Sequence, residues 1–241
     1  EITSIPKGAF VGCSALESIF LPKTVSSMET GSFSNDHFVV YFAGTTTQWR
    51  NMDADGLKCK AGVICNYRAS TAESGNLDVK PSKLVYTDVE EMTKNNVSVT
   101  LQYPNGAAPA AGDQITADWY YTTGALDGLK RLRPLAGSDY SLDASGVTSS
   151  LSLKEQAATK QFGTWNYVCV VFKTTADGKS TMFVSEPIAV TLRDASFTLA
   201  GTGSEKDPYQ IKTYEDLQRV AERVESGENF EGIYFALEND I

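Results

Sequence analysis

Ile2-Thr-Ser-Ile-Pro-Lys-Gly-Ala-Phe10 recurs as Val25-Ser-Ser-Met-Glu-Thr-Gly-Ser-Phe33, so that Ile2 matches Val25, Ser4 matches Ser27, Ile5 matches Met28, Gly8 matches Gly31 and Phe10 matches Phe33. Each matched pair lies 23 residues apart, a period at which one copy is a turn of a solenoid rather than an independent fold. Between the copies, Cys13-Ser-Ala-Leu-Glu-Ser-Ile-Phe-Leu-Pro22 places Leu16, Ile19 and Leu21 as a leucine-rich unit with a short strand would. Such a unit cannot bury its apolar side alone, and its neighbours in the stack must supply the core. The repeat therefore predicts stacked coils with Phe10, Phe33, Leu16 and Ile19 as packing positions. Cys13 is read as a small buried apolar residue, and further copies are expected upstream of Glu1.

These residues resemble the BspA-like leucine-rich repeat, with a pattern close to "I-x-x-I-x-x-x-A-F-x-x-C-x-x-L-x-x-I-x-L-P", matched at Gly8-Ala9-Phe10, Cys13, Leu16 and Leu21-Pro22. Val40-Tyr-Phe-Ala-Gly-Thr-Thr-Thr-Gln-Trp49 is similar to the element that closes those arrays, a strand and turn followed by a hairpin with a cysteine where Cys59 sits. The second copy departs from the pattern in lacking a cysteine after Phe33. The resemblance implies an outward-facing bacterial protein used in adhesion or in host and community interaction.

Residues 66–76 run through Ser, Thr, Ala, Glu and Gly with little apolar content and read as a linker. Beyond them come short runs of alternating apolar residues: Leu84–Tyr86, Val97–Leu101, Ile115–Tyr121, Leu151–Leu153, Trp165–Phe172 and Met182–Val190. Period-two runs separated by Gly, Pro, Asn and Asp are the pattern of an antiparallel sandwich. Trp119 sits in a run suited to the third strand of an immunoglobulin-like domain, and Tyr167-Val-Cys169 has the spacing of a tyrosine corner. The expected partner strand offers Val99 and Leu101 in place of a cysteine. The module thus resembles bacterial immunoglobulin-like domains without their disulfide, with Cys169 a free buried thiol near Trp119. Alternation puts Trp119 and Tyr121 on one face and Tyr120 on the other. Tyr120, Tyr121 and the turn Ala176-Asp-Gly-Lys179 are its exposed candidates for sugar binding, although core packing explains the Trp119 and Tyr121 pair more simply.

From Gly201, the order of landmarks in Gly-Thr-Gly-Ser-Glu-Lys-Asp-Pro-Tyr-Gln-Ile211 and Tyr234-Phe-Ala-Leu-Glu-Asn-Asp-Ile241 resembles the opening of repeats that lead into right-handed β-helices of bacterial surface proteins. One helix lies between, capped by Thr213 with Asp216 three residues on, with Leu217, Val220, Ala221 and Val224 on one face and Gly227 as its stop. The motif breaks off at Ile241, which with the half-copy at the start reads as truncation at both ends. The expected architecture is mainly β. Residues 1–66 form the end of a leucine-rich-repeat solenoid, 67–76 the linker and 77–195 an immunoglobulin-like β-sandwich. Residues 196–241 form a small β-α-β segment that starts a β-helix-type repeat.

The chain has 41% hydrophobic and 21% charged residues, ordinary for a folded core. A net charge of -9, of which -6 falls after residue 200, argues against nucleic acid or an anionic membrane as partner. No run is apolar enough to span a bilayer, and Glu1–Phe10 has neither the basic start nor the apolar core of an export signal. Cys59 and Cys65 bracket a possible hairpin that would bring their sulfurs together, so a bridge and two free thiols are both open. A zinc site is disfavoured by that spacing and by His37 being the sole histidine.

Little points to catalysis. His37 has no carboxylate pattern around it. Glu90-Glu91 and the Asp53, Asp55 pair are not distinguishable from solvated surface. Asp53-Ala-Asp55-Gly56 lacks the remaining ligands of a calcium loop and reads as a turn. Gly201-Thr-Gly203 lacks the Gly-Lys-Ser/Thr close of a phosphate loop and also reads as a turn. The expectation is a non-catalytic, monomeric surface fragment without cofactor or metal, its partner a host matrix protein or a glycan, and its ligand-binding residues unassigned. The alternatives are a structural spacer, or an accessory region of a polysaccharide-degrading enzyme whose active site lies outside residues 1–241.

Overall fold

The structure is a computed structural model that describes residues 1–35, 37–53, 58–68, 75–77, 83–86, 89–94, 96–103, 108–159, 163–192, 199–225 and 228–239. The chain is mainly β. Its first part stacks short strands in parallel: β1 (Ser4–Ile5), β2 (Ser18–Leu21), β3 (Ser27–Met28), β4 (Val39–Phe42) and β5 (Gly62–Ile64). β1 pairs β3 with Ser4 opposite Ser27 and Ile5 opposite Met28, so the sequence period is the register of the ladder. A second ladder runs β2, β4, β5, placing Ile19 beside Val40 and Val40 beside Val63. Residues equivalent in the repeat therefore sit on top of one another. The Phe10 and Phe33 rings stack with centroids 4.9 Å apart, and Phe33 is fully buried.

Three expectations change in this part. Val40–Trp49 is not a strand and turn alone, because α1 (Thr46–Met52) follows β4. Thr45 caps it, its side chain accepting from the Gln48 amide while the Gln48 side chain accepts from the Thr45 amide, and Trp49 and Met52 face the core. Cys59 and Cys65 do not flank a hairpin. Cys59 bridges in parallel to Phe33, β5 continues the stack beside β4, and both cysteines are free and buried. Cys13, expected to be buried, is exposed, as are Ile2 and Val11 of the same first coil.

The second part is an immunoglobulin-like β-sandwich. Its strands are β6 (Gly75–Leu77), β7 (Lys83–Tyr86), β8 (Asn96–Thr100), β9 (Gln114–Thr122), β10 (Arg133–Pro134), β11 (Tyr140–Leu142), β12 (Thr148–Ser152), β13 (Gly163–Thr174), β14 (Ser180–Ser185) and β15 (Ile188–Leu192). Two short helices, α2 (Val89–Lys94) and α3 (Lys154–Thr159), connect them. Neither was expected; six residues each give too little length for a helical period to show. One sheet has seven strands built on β13, which pairs β9 along one edge and β15 and then β14 along the other. The single apolar run Met182–Val190 is thus two strands, separated at Glu186 and Pro187. The opposing sheet is β11, β12, β8, and the Trp119 indole N–H donates across to Ser149 Oγ at 2.8 Å.

Cys169 is free, fully buried and directly opposite Trp119 in the ladder. The tyrosine corner takes a variant form. Tyr167 Oη donates to Gln156 Oε1 at 2.9 Å and Gln156 Nε2 donates to the Val190 carbonyl at 3.1 Å, so a buried glutamine of α3 stands where the backbone would accept.

β13 is buried along nearly its whole length, and alternation explains why. Trp165, Tyr167, Cys169 and Val171 enter the core between the two sheets. Val168, Val170 and Phe172 point the other way, into a separate core with Val39, Ile64, Tyr120 and Leu132. The end of the coil stack is what covers that outer face. Tyr120, expected at the surface, is consequently fully buried.

The last part is β16 (Tyr209–Ile211), α4 (Tyr214–Glu225) and β17 (Phe235–Leu237), with β16 and β17 parallel. Thr213 Oγ1 accepts from the Asp216 amide and the Asp216 carboxylate from the Thr213 amide, the expected cap. Gly227 and Ile241 lie outside the described residues. On the apolar face of α4, Leu217 is 40% and Val224 56% exposed, while Val220 is half-buried. Gly201 and Gly203 form a turn with positive φ, and a Cβ at Gly201 would stand 2.1 Å from the Pro208 carbonyl oxygen.

Candidate functional site

Where the third coil, the level of Cys59 and β5 that stacks on Phe33 and β4, meets the sandwich, the chain builds both a clasp and a cleft. The clasp is polar and largely buried. Cys65 N–H donates to Tyr120 Oη at 2.8 Å, both residues fully buried. Asp118 accepts from Asn66 Nδ2 at 2.8 Å and from Tyr140 Oη at 2.6 Å, and Thr46 Oγ1 lies 3.3 Å from the same Tyr140 hydroxyl. Burial pushes the Asp118 carboxyl up from its ordinary value, and the two hydrogen bonds pull it partly back. Cys65 is raised by burial and then by the Asp118 charge. Backbone contact is as close. Val63 N–H donates to the Leu132 carbonyl at 3.0 Å, and a Cβ on Gly62 would lie 2.0 Å from the Leu129 oxygen, so no side chain fits there. An aromatic row, Phe20, Tyr41, Tyr67 and Phe172, spans the same junction with centroids 5.3, 4.6 and 5.9 Å apart.

The cleft opens beside the clasp, between α1 and β5 on one wall and β9, β10, α3 and β13 on the other. Its inner part, 350 Å³, is bounded by Trp49, Cys59, Val63 and the ion pair Arg50 Nη1 to Glu155 Oε1 at 3.1 Å. Arg50 also donates to the Pro134 carbonyl at 2.9 Å. Its outer part, 590 Å³, is lined by Lys60, Arg131, Arg133, Thr123, Thr159, Tyr121 and Trp165 among others. Tyr121 and Arg133 belong to both parts. The Tyr121 ring lies flat on buried Trp165, 4.2 Å between centroids and 9° between planes. Burial and then Glu155 raise the Tyr121 hydroxyl, while Arg133 and Arg50 oppose them. Arg131 holds φ of +63°, a conformation L-residues adopt at a cost. At the rim, Asn229 Nδ2 donates to the Thr123 carbonyl at 2.8 Å and ties the last segment to the cleft.

The other residues singled out in the sequence do not gather. His37 lies edge-on to Phe38, with Nε2 3.3 Å from the Cys13 carbonyl oxygen. In the turn at 176–179, Asp177 pairs Lys179 at 3.1 Å, and hydrogen bonds from Thr175 and Lys179 hold its carboxyl down at about 2. Asp53 Oδ1 accepts from the Lys58 amide at 2.8 Å, and residues 54–57 of the expected turn lie outside the described residues. Glu90 pairs Lys94 one helical turn away. Among the described residues no group of three or more His, Cys, Asp or Glu comes together. Of the sequence candidates, Tyr121, Asp53 and Cys59 line the cleft, the last two in its inner part. Its cations were legible as the basic run Lys130-Arg-Leu-Arg133 in an acidic chain, but Lys60 is brought to them only by docking of the coil.

Among the described residues no helix is long and apolar enough to cross a membrane. No protein-family model and no curated protein matches the chain. Among solved structures it is similar to murine CEACAM1b, with 10% identity and TM-score 0.26 over 57% of this chain and 61% of that one. It is also similar to the bradyzoite-specific antigen BSR4 of Toxoplasma gondii, with 12% identity and TM-score 0.30 over 61% and 58%. A third likeness is to Dscam1 isoform 4.44, in its N-terminal four Ig domains, with 12% identity and TM-score 0.25 over 63% and 32%. In each case the chain spans less than two thirds of the matched protein's length. Likeness at these scores carries no weight for function, and the fold rests on strand pairing and packing within the chain itself.

Proposed function

We propose that this chain is a non-catalytic recognition piece of a modular, outward-facing bacterial surface protein, and that it binds a partner in the cleft between the last coil and the sandwich. The observation that carries the reading is the cleft itself: a concave site at the meeting of two units, with converging cations and a fixed aromatic ring. The 23-residue register of the parallel ladders supports a leucine-rich-repeat relative of the BspA-like type. The sole histidine, hydrogen-bonded to backbone, supports a role other than acid–base chemistry. The close fit at Gly62 supports a second reading, a stiff spacer that binds nothing.

The test is an array of host matrix proteins and glycans probed with the 241-residue chain and with a Lys60→Glu, Arg131→Gly variant. Glycine adopts positive φ without strain, so Arg131→Gly removes a charge while keeping the turn. Saturable binding that is lost in the variant is the expected result. Silence across the array favours the spacer, and binding that the variant retains places recognition elsewhere.

A further inference from the structure

We propose that α4 presents a docking surface for a basic, amphipathic segment of a protein partner, at a site separate from the cleft. The first ground is where the apolar surface lies. Five of the eight large hydrophobic residues exposed among the described residues fall between Tyr214 and Leu237. Three of them, Tyr214, Leu217 and Val224, are 66%, 40% and 56% exposed and share α4 with the exposed Ala221. Spacings of three and four residues put these four on one stripe, and the twelve-residue helix is about 18 Å long. α4 packs against β16. The side chains that it half-buries are Asp216, Val220 and Arg223, a set whose own spacing places them on a neighbouring side of the helix. The stripe is therefore turned toward solvent. The Thr213 and Asp216 cap fixes where the helix begins, so the stripe is carried by a regular element. Exposed apolar side chains grouped in this way inside a polar margin mark protein-binding surfaces.

The second ground is charge, which selects the occupant. Residues after 200 carry -6 of the chain's -9. On α4, Glu215 and Glu222 stand exposed on the flank next to the stripe. The ion pairs described in this segment are Lys212 with Glu238 and Arg219 with Asp216, and Glu222 accepts from Gln218 Nε2 at 3.2 Å. Among the described residues, neither Glu215 nor Glu222 is in an ion pair. Like charge disfavours a second copy of this acidic segment, an anionic lipid surface and a nucleic acid. A protein segment with lysine or arginine beside an apolar stripe of its own complements both features: charge steers its approach and apolar contact holds it.

Calorimetric titration of the 241-residue chain with an amphipathic peptide, Leu-Lys-Lys-Leu-Leu-Lys-Leu written twice, tests this. Control peptides carry glutamate in place of lysine, or serine in place of leucine. The expected result is saturable binding of the first peptide alone, weakening as salt is raised. Leu217→Ser with Val224→Ser should weaken it about tenfold or more. Glu215→Gln with Glu222→Gln should weaken it and flatten its salt dependence. These four sites are exposed, so thermal melts of both variants should match wild type. Lys60→Glu, in the cleft, and Val11→Ser, at an exposed apolar residue of the first coil, should bind as wild type does. That separates this surface from the cleft and from general adsorption to exposed apolar residues. The proposal is overturned if the glutamate peptide binds equally, if the α4 variants bind unchanged, or if no peptide binds. It is overturned too if sedimentation shows the chain self-associating through α4, or if phosphatidylglycerol vesicles bind there, since the occupant is then a second copy or a membrane.

Discussion

Replacing Tyr120 by phenylalanine removes a single oxygen from the junction between coil and sandwich. That oxygen accepts the Cys65 N–H at 2.8 Å, and both residues are fully buried. Phenylalanine keeps the ring and its packing against Val39, Ile64 and Leu132, so the change isolates the polar contact. The amide is then left buried without its acceptor, at a cost of about 1–3 kcal/mol. Each kcal/mol moves the midpoint of a chain of this size by about 2–4 °C, so a central cost of about 2 kcal/mol lowers Tm by about 4–8 °C. The same energy, at about 1.4 kcal/mol per factor of ten, speeds exchange of the Cys65 amide about thirtyfold if the junction opens locally. Calorimetry with amide exchange followed by NMR measures both. A Tm within about 1 °C of wild type, with Cys65 equally protected, would refute the assignment of this hydroxyl as the fastening of the third coil.

Other perturbations probe the remaining contacts. Gly62→Ala forces a Cβ within 2.0 Å of the Leu129 oxygen; the expected loss is about 1–3 kcal/mol in urea unfolding, and unchanged stability contradicts the close approach. Asp118 has a carboxyl raised by burial above 3.8, so the folded chain holds that proton more firmly than the unfolded one. Its contribution to stability is full below the ordinary carboxylate value and is lost as pH rises through the raised one. Asp118→Asn should therefore flatten the fall in stability across that acid window relative to wild type, and identical pH profiles count against it. Phe33→Ala removes a fully buried ring and should cost about 3–5 kcal/mol. Phe10→Ala, at the matching place on the less covered coil, should cost distinctly less; equal losses would mean that the first coil is packed as tightly as the second.

What the residues disclosed in advance follows from how local each signal is. The repeat between Ile2 and Phe33 declared its own register, because a solenoid stacks equivalent positions and Ile5 meets Met28 as the period requires. Trp119 and Cys169 were legible as neighbours, because their strands carry a familiar spacing. Tyr120 was misread for a physical reason: alternation assigns residues to two faces of a strand but does not say whether the second face is covered. Here it is, by β4 and β5. The Gln156 partner of Tyr167 lay in a helix too short to show a period. The cleft was hidden because it exists only after assembly, with Lys60, Tyr121, Arg131 and Trp165 drawn from four separate stretches of chain.

Everything proposed for the cleft requires that the third coil stay docked on the sandwich, and the four cysteines report on that directly. Cys13 is exposed, whereas Cys59 in the coil, Cys65 in the clasp and Cys169 in the sandwich core are free and buried. Burial also raises the last three thiols, Cys59 to about 12, which disfavours the reactive thiolate. Labelling the native chain with a thiol reagent and mapping the sites by mass spectrometry should modify Cys13 rapidly and the other three only with unfolding. Rapid labelling of Cys65 in native buffer would show the coil undocked and the cleft absent, and rapid labelling of Cys169 would show that β13 is not the centre of a sandwich.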